Sequence, residues 1–196
     1  MKLLLNQASP YARLARVVVH EKNLADSVEL RWTDPWASPP ELLAVNPAAK
    51  VPALVLADGQ AIIDSVCICM YLDAAGAAPL LFKSDVSALT KLGLGRSLID
   101  VAFGVTIERR YATSKEPSVL VERWLAAVTR TIAALEEKAD LLSSERPDIG
   151  DLSIAVGLAY VDFRLKEVAW RTNTPRLAAW FDAMAARSSL SMTAPE

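Results

Sequence analysis

The chain has 196 residues, of which 53% are hydrophobic and 22% charged, and 21 Lys plus Arg against 23 Asp plus Glu leave a formal net charge of -2. So much apolar material with so little net charge excludes a disordered chain, and the lack of a basic excess argues against nucleic acid as a partner. The length suits one large domain or two small ones, each with enough apolar residues for a core. The uncharged apolar stretch Leu152 to Val161 is far short of the ~20 residues needed to cross a bilayer, so no membrane association is expected. The apolar start Met1 to Leu5 stops at Asn6, before any signal-peptide core of about 7–15 residues. Cys67 and Cys69 offer no disulfide framework, which fits a cytoplasmic protein.

Leu3, Leu4 and Leu5 form a continuous apolar run and predict a buried first strand. Ser9-Pro10 then predicts a helix start, because Ser caps and Pro suits the first turn, where its missing N–H would be unpaired anyway. That helix runs to about Asn23, and Val28 to Trp32 read as a second strand. Thr33 to Pro40 read as a loop, and Glu41 to Val45 as a short helix stopped by Asn46-Pro47. Lys50 to Leu56 predict an extended lead-in and a strand, Asp58-Gly59 a hairpin turn, and Ala61-Ile62-Ile63 the returning strand. Asp64-Ser65 caps a helix to about Ala74, after which Gly76-Ala77-Ala78-Pro79 reads as a linker between domains.

From Ser84 onward the pattern is helical. Long helices are expected over 85–111 and 116–142, the second with Trp124, Leu125, Val128, Ile132 and Leu135 at helical spacing. Asp148-Ile149-Gly150-Asp151 has the form of a capping box, and the apolar helix after it, to Leu165, is expected at the centre of the bundle. Thr174-Pro175 opens a last helix with the stripe Leu177, Trp180, Phe181 and Met184. His20, the single histidine, leaves a Ser-His-Asp triad or a histidine-based metal site without its parts. Gly93-Leu94-Gly95 lacks the third glycine of a dinucleotide fingerprint and sits in a helical stretch. Cys67 and Cys69, two apart on a helix, point in different directions and read as packing residues.

A β-α-β-α-β-β-α domain followed by an all-helical domain resembles the glutathione S-transferase family, over the whole chain. Ser9-Pro10-Tyr11, Asn46-Pro47-Ala48-Ala49-Lys50-Val51-Pro52, Asp64-Ser65 and Asp148 to Asp151 match its local motifs in order. Ser-Pro-Tyr-x-Arg together with Phe163-Arg164 is most similar to a small bacterial branch, the YibF-type proteins. The resemblance implies a thioredoxin-like glutathione-binding domain over 1–78 and an all-α domain over 85–196. It implies conjugation of the glutathione thiolate to small electrophiles, as in detoxification, in a cytoplasmic homodimer without metal.

Ser9 is then the catalytic hydroxyl that favours the thiolate, where a plain cap is the other reading. Val51, held before a candidate cis Pro52, would pair its backbone with the cysteinyl unit, and Asp64 and Ser65 would hold the γ-glutamyl end. Trp36 and Lys50 would reach the glycine end, and Asp100 the γ-glutamyl amino group in the partner's site. Tyr11 on one side and Phe103, Ile107, Arg110 and Tyr111 on the other would form the electrophile pocket, expected between the domains. Two alternatives stay open: a binding or regulatory protein of the stringent-starvation type, and a glutathione-dependent isomerase or dehalogenase. Ala8-Ser9-Pro10 in place of a Ser-Ser-Cys motif lowers the isomerase option.

Overall fold

The computed structural model describes residues 1–113 and 118–195. They fall into two compact units, one of residues 1–82 together with the chain from Ser191 onward, the other of residues 83–190. The first unit carries β1 (Lys2–Leu5), α1 (Pro10–Glu21), β2 (Glu29–Trp32), α2 (Pro40–Val45), β3 (Ala53–Val55), β4 (Ala61–Ile63) and α3 (Ser65–Ala75). Its four strands form one mixed sheet in the order β2-β1-β3-β4. β2 runs parallel to β1, whereas β3 and β4 run antiparallel to their neighbours, with Leu3 opposite Leu30 and Leu54, and Leu54 opposite Ile62.

β1 is central and covered on both faces, which is why it reads as an unbroken apolar run rather than an alternation. Leu4 packs with Leu42 of α2 and with Ala53, while Leu3 and Leu5 point to the opposite face by strand alternation. The expected loop at 33–40 contains one 3-10 turn, Pro35–Ala37, capped by the Asp34 carboxylate on the Trp36 N–H at 3.0 Å. The segment read as a linker is fastened down: Ala77 N–H donates to Lys22 O at 3.1 Å, and Lys22 Nζ to Pro79 O at 2.8 Å. Ala78–Pro79 is a cis peptide, which the sequence reading did not anticipate. Past Ser191 the chain belongs to the first unit, where Thr193 is buried and Arg16, stacked on Trp32, reaches Met192 O at 3.5 Å.

The second unit is helical: α4 (Val86–Tyr111), α5 (Val119–Glu137), α6 (Ile149–Arg164), α7 (Pro175–Ala185) and the single turn α8 (Ser188–Ser191), which reaches the first unit's last segment. Two expectations are corrected. The helix at Thr174-Pro175 is not the last, because α8 follows it. The helix expected to reach Leu142 ends at Glu137, where Lys138 leaves helical geometry and a 3-10 turn follows over Ala139–Leu141. Its expected start at Glu116 lies outside the described residues.

α6 is buried along nearly its whole length, as its all-round apolar sequence requires. Its capping box forms: Asp148 Oδ1 accepts from Gly150 N and Asp151 N, and Asp151 Oδ2 accepts from Asp148 N. Lys91 of α4 joins it, 2.7 Å from Asp148 and 2.8 Å from Asp151. Burial opposes the Lys91 charge, but the two carboxylates outweigh it and hold its pKa above the usual lysine value.

Candidate functional site

Sheet register gathers the site. Leu4 of β1 lies opposite Ala53, and Ala53 opposite Ile63, while Leu5 pairs with Trp32. The exits of β1, β2 and β4 and the entry of β3 therefore share one edge of the sheet. Ser9 follows β1, Trp36 follows β2, Val51-Pro52 precede β3, and Asp64-Ser65 follow β4. Residues scattered over 57 positions of the sequence come to one place because β3 and β4 reverse direction.

At the first exit, Asn6 shapes the turn by accepting the Ala8 N–H on its side chain at 3.0 Å and the Ser9 N–H on its carbonyl at 3.3 Å. Ser9 is the N-cap of α1, its Oγ accepting from Ala12 N at 3.2 Å, and Pro10 occupies the first helical position. Accepting on a lone pair leaves the hydroxyl hydrogen available to donate, so capping and thiolate stabilisation do not compete for the same atom. Tyr11 is half-buried in the first turn. One turn on, Arg13 is buried on the face of α1 that carries Ser9; burial, then the Arg16 charge, pull its guanidinium pKa down to about 10. No role was assigned to Arg13 in the sequence, although it is the Arg of Ser-Pro-Tyr-x-Arg.

Before β3, buried Asn46 ties the loop together. Its Nδ2 donates to Lys50 O at 2.8 Å, its Oδ1 accepts from Ala48 N at 3.1 Å, and its carbonyl accepts from Ala49 N at 2.9 Å. Ala49 takes φ of +52° in this loop, and the Val51–Pro52 peptide is cis. Val51 itself lies outside the ladder, which begins at Ala53. Lys50 is exposed, and Trp36, also exposed, stands on the 3-10 turn after β2.

Asp64 opens α3 with φ of 67° and ψ of 134°, outside the regions an L residue favours, and such a backbone costs on the order of 1–3 kcal/mol. Its carboxylate caps Val66 N–H at 2.8 Å, which offsets part of that cost. Ser65 is buried at the first position of the helix.

The remaining candidates lie on α4, in the second unit. Asp100 is exposed and 3.4 Å from Arg96, one turn back. Phe103 and Ile107 are half-buried, Arg110 and Tyr111 exposed, and the Arg110 guanidinium lies 5.7 Å from the Tyr111 ring centre. Among the described residues there is no cluster of His, Cys, Asp and Glu able to hold a metal ion, and no helix long and apolar enough to cross a membrane.

Two family models match the chain: glutathione S-transferase N-terminal domain over residues 8–75 and C-terminal domain over 118–183. The crystal structure of a glutathione transferase family member from Pseudomonas fluorescens Pf-5 with bound glutathione is 33% identical. It superposes with a TM-score of 0.92 over 100% of this chain and 98% of that one. A Pseudomonas fluorescens Pf-5 family member with bound S-(propanoic acid)-glutathione is also 33% identical, with a TM-score of 0.87 and full coverage of both chains. The uncharacterized GST-like protein YibF of Escherichia coli is 22% identical, over 100% of this chain and 98% of its own length. With both domain models matched and a 33% identical relative superposing over the whole chain, the chain belongs to the glutathione S-transferase family.

Proposed function

We propose that this protein is a glutathione transferase, joining the glutathione thiolate to small electrophilic compounds in a detoxifying role, as a cytoplasmic homodimer. The observation that carries the reading is the convergence of Ser9, the cis Val51–Pro52 peptide and the Asp64-Ser65 helix start on one edge of the sheet. The binding of glutathione and of S-(propanoic acid)-glutathione by the Pseudomonas fluorescens relatives supports it.

A free thiol ionises at a pKa of about 8.5, so little thiolate exists near neutral pH. In this reading the Val51 backbone pairs with the cysteinyl unit and sets the sulfur beside Ser9. Ser65 and the first N–H groups of α3 take the γ-glutamyl carboxylate, with Asp64 holding the turn or the amino group. Trp36 and Lys50 take the glycine end, and Asp100 serves the γ-glutamyl amino group of the partner's site. The Ser9 hydroxyl donates to the sulfur, and the positive end of α1 adds to it. The thiolate then forms the carbon–sulfur bond as the leaving group departs with its electron pair. Tyr11, Phe103, Ile107, Arg110 and Tyr111 contact the electrophile.

The test is the pH–rate profile of Ser9→Ala. A charge-assisted hydrogen bond supplies roughly 1.5–3 kcal/mol, and one pKa unit is about 1.4 kcal/mol. The pKa of bound glutathione is expected to rise by about one to two units. Activity near neutral pH falls roughly ten- to a hundred-fold and recovers at alkaline pH, while glutathione affinity changes little. A profile unchanged by the substitution, with only about 1 kcal/mol of stability lost, would reduce Ser9 to a helix cap.

A further inference from the structure

The segment Asn6 to Ala8 separates the end of β1 from Ser9 and lies beyond the strand ladder, whose last pair is Leu5 with Trp32. The cap that Ser9 places on the Ala12 N–H fixes its hydroxyl relative to α1. It does not fix that hydroxyl relative to the sheet edge, where the cis Val51–Pro52 peptide leads into β3. The second constraint comes from Asn6, a residue outside the motifs that the sequence matches.

Asn6 is half-buried and holds its surroundings in three directions. Its carbonyl accepts the Ser9 N–H at 3.3 Å and its Oδ1 accepts the Ala8 N–H at 3.0 Å, so a backbone bond and a side-chain bond close the turn together. Its Nδ2 donates to Thr33 O at 3.5 Å. The Thr33 N–H itself donates to Leu5 O at 2.9 Å, one rung past the ladder. The Asn6 amide thus takes the place of the next rung between β1 and β2 while it holds the Ser9 turn. That double task needs a donor and an acceptor on one short stem. Asp lacks the donor, Ser lacks the reach to Thr33, and Gln is too long for a turn closed two residues on. Hydrogen bonds weaken steeply with angle. A Ser9 turn free to tilt would still cap α1, yet aim its hydroxyl poorly at a sulfur held by the Val51 backbone.

We propose that Asn6 is a positioning residue of the transferase reaction, holding the Ser9 turn against the sheet edge so that the Ser9 hydroxyl donates in line to the glutathione sulfur. This rests on the transferase reading above. In this role Asn6 touches neither the sulfur nor the electrophile and moves no proton. Its effect reaches the thiolate only through Ser9.

The test follows the ultraviolet absorbance of the bound glutathione thiolate against pH in the wild type, Asn6→Ala, Ser9→Ala and the double variant, with glutathione affinity and melting temperature measured alongside. Asn6→Ala is expected to raise the pKa of bound glutathione by about 0.5–1 unit, less than Ser9→Ala does. Activity near neutral pH should fall roughly three- to tenfold and recover at alkaline pH. Glutathione affinity changes little, because Val51, Asp64 and Ser65 are untouched. The double variant should match Ser9→Ala alone, since both positions act through one hydroxyl. Asn6→Ser, which can still accept the Ala8 N–H, should recover part of the shift. Asn6→Gln keeps the amide but not the short turn. It should shift as Asn6→Ala does, and it carries the comparison if Asn6→Ala does not fold. A pKa unchanged in Asn6→Ala and Asn6→Gln, while Ser9→Ala raises it, overturns the inference and leaves the transferase reading standing. Shifts that add in the double variant also overturn it, because Asn6 would then act independently of Ser9. Failure of the wild type to bind glutathione, or to lower the pKa of its thiol, would remove the transferase reading and this inference with it.

Discussion

Lys22 and Asp73 look in the sequence like two ordinary surface charges. In the fold their side chains are 1% and 3% exposed and 2.8 Å apart. Asp73 also accepts the N–H groups of Leu81 and Phe82 at about 2.9 Å, so the pair anchors the chain where the first unit ends. Burial alone would raise the Asp73 pKa; the bonds from Lys22 and from the two backbone N–H groups outweigh it and hold the carboxyl below its usual value. A depressed folded pKa contributes stability that is present above the unfolded carboxylate pKa and is lost as pH falls through the folded one. Asp73→Ala, which strands a buried ammonium and two N–H groups, should cost about 3–5 kcal/mol in urea unfolding at neutral pH. Asp73→Asn should flatten the fall in stability below about pH 4, relative to the wild type. A wild-type slope retained in Asp73→Asn would show that other carboxyls govern the acid limb.

At the scale of elements, the pairing of α4 with α6 depends on glycine at the contact. A Cβ on Gly95 would lie 2.7 Å from the Ile154 backbone nitrogen, and one on Gly150 would lie 2.5 Å from Lys91 Cβ. Backbone cannot yield as a side-chain tip can, so Gly95→Ala should force the helices apart and destabilise by about 1–3 kcal/mol. Gly93, two residues earlier on the same helix, has open space where its Cβ would be. Gly93→Ala should instead gain up to about 1 kcal/mol from helix propensity alone. Thermal unfolding of the two variants side by side tests the contact, since propensity predicts the same sign for both and packing predicts opposite signs.

For the whole molecule, ligand linkage gives the measurable consequence. A ligand that binds only the folded protein stabilises it by about 2.7 kcal/mol at a hundred times its dissociation constant. Glutathione should therefore raise the melting temperature progressively with concentration, and no rise at tens of millimolar would count against a glutathione site. Val86 and Leu89, in the first turn of α4, are exposed in the single chain, and the proposed homodimer would cover such apolar side chains. Light scattering at micromolar concentration checks the proposal, and a monomer would refute it.

The sequence by itself determined whatever depends on residues within about one helical turn of each other. Ser9 before Pro10, Asp64 before Ser65 and the Asp148–Asp151 box mark helix starts because a cap and its N–H partners are sequence neighbours. The run Leu3 to Leu5 and the all-round apolar α6 declared their burial through composition alone. The positive φ of Asp64 and Ala49 left no such trace, since neither residue is glycine. Nor did the Lys22–Asp73 anchor or the Lys91 bridge to the α6 cap. A lysine or arginine has the same local signature whether it ends in water or in a buried pair. Only the tertiary structure decided those, and it alone brought the four loop segments to one sheet edge, because strand direction and register join residues that sequence distance keeps apart.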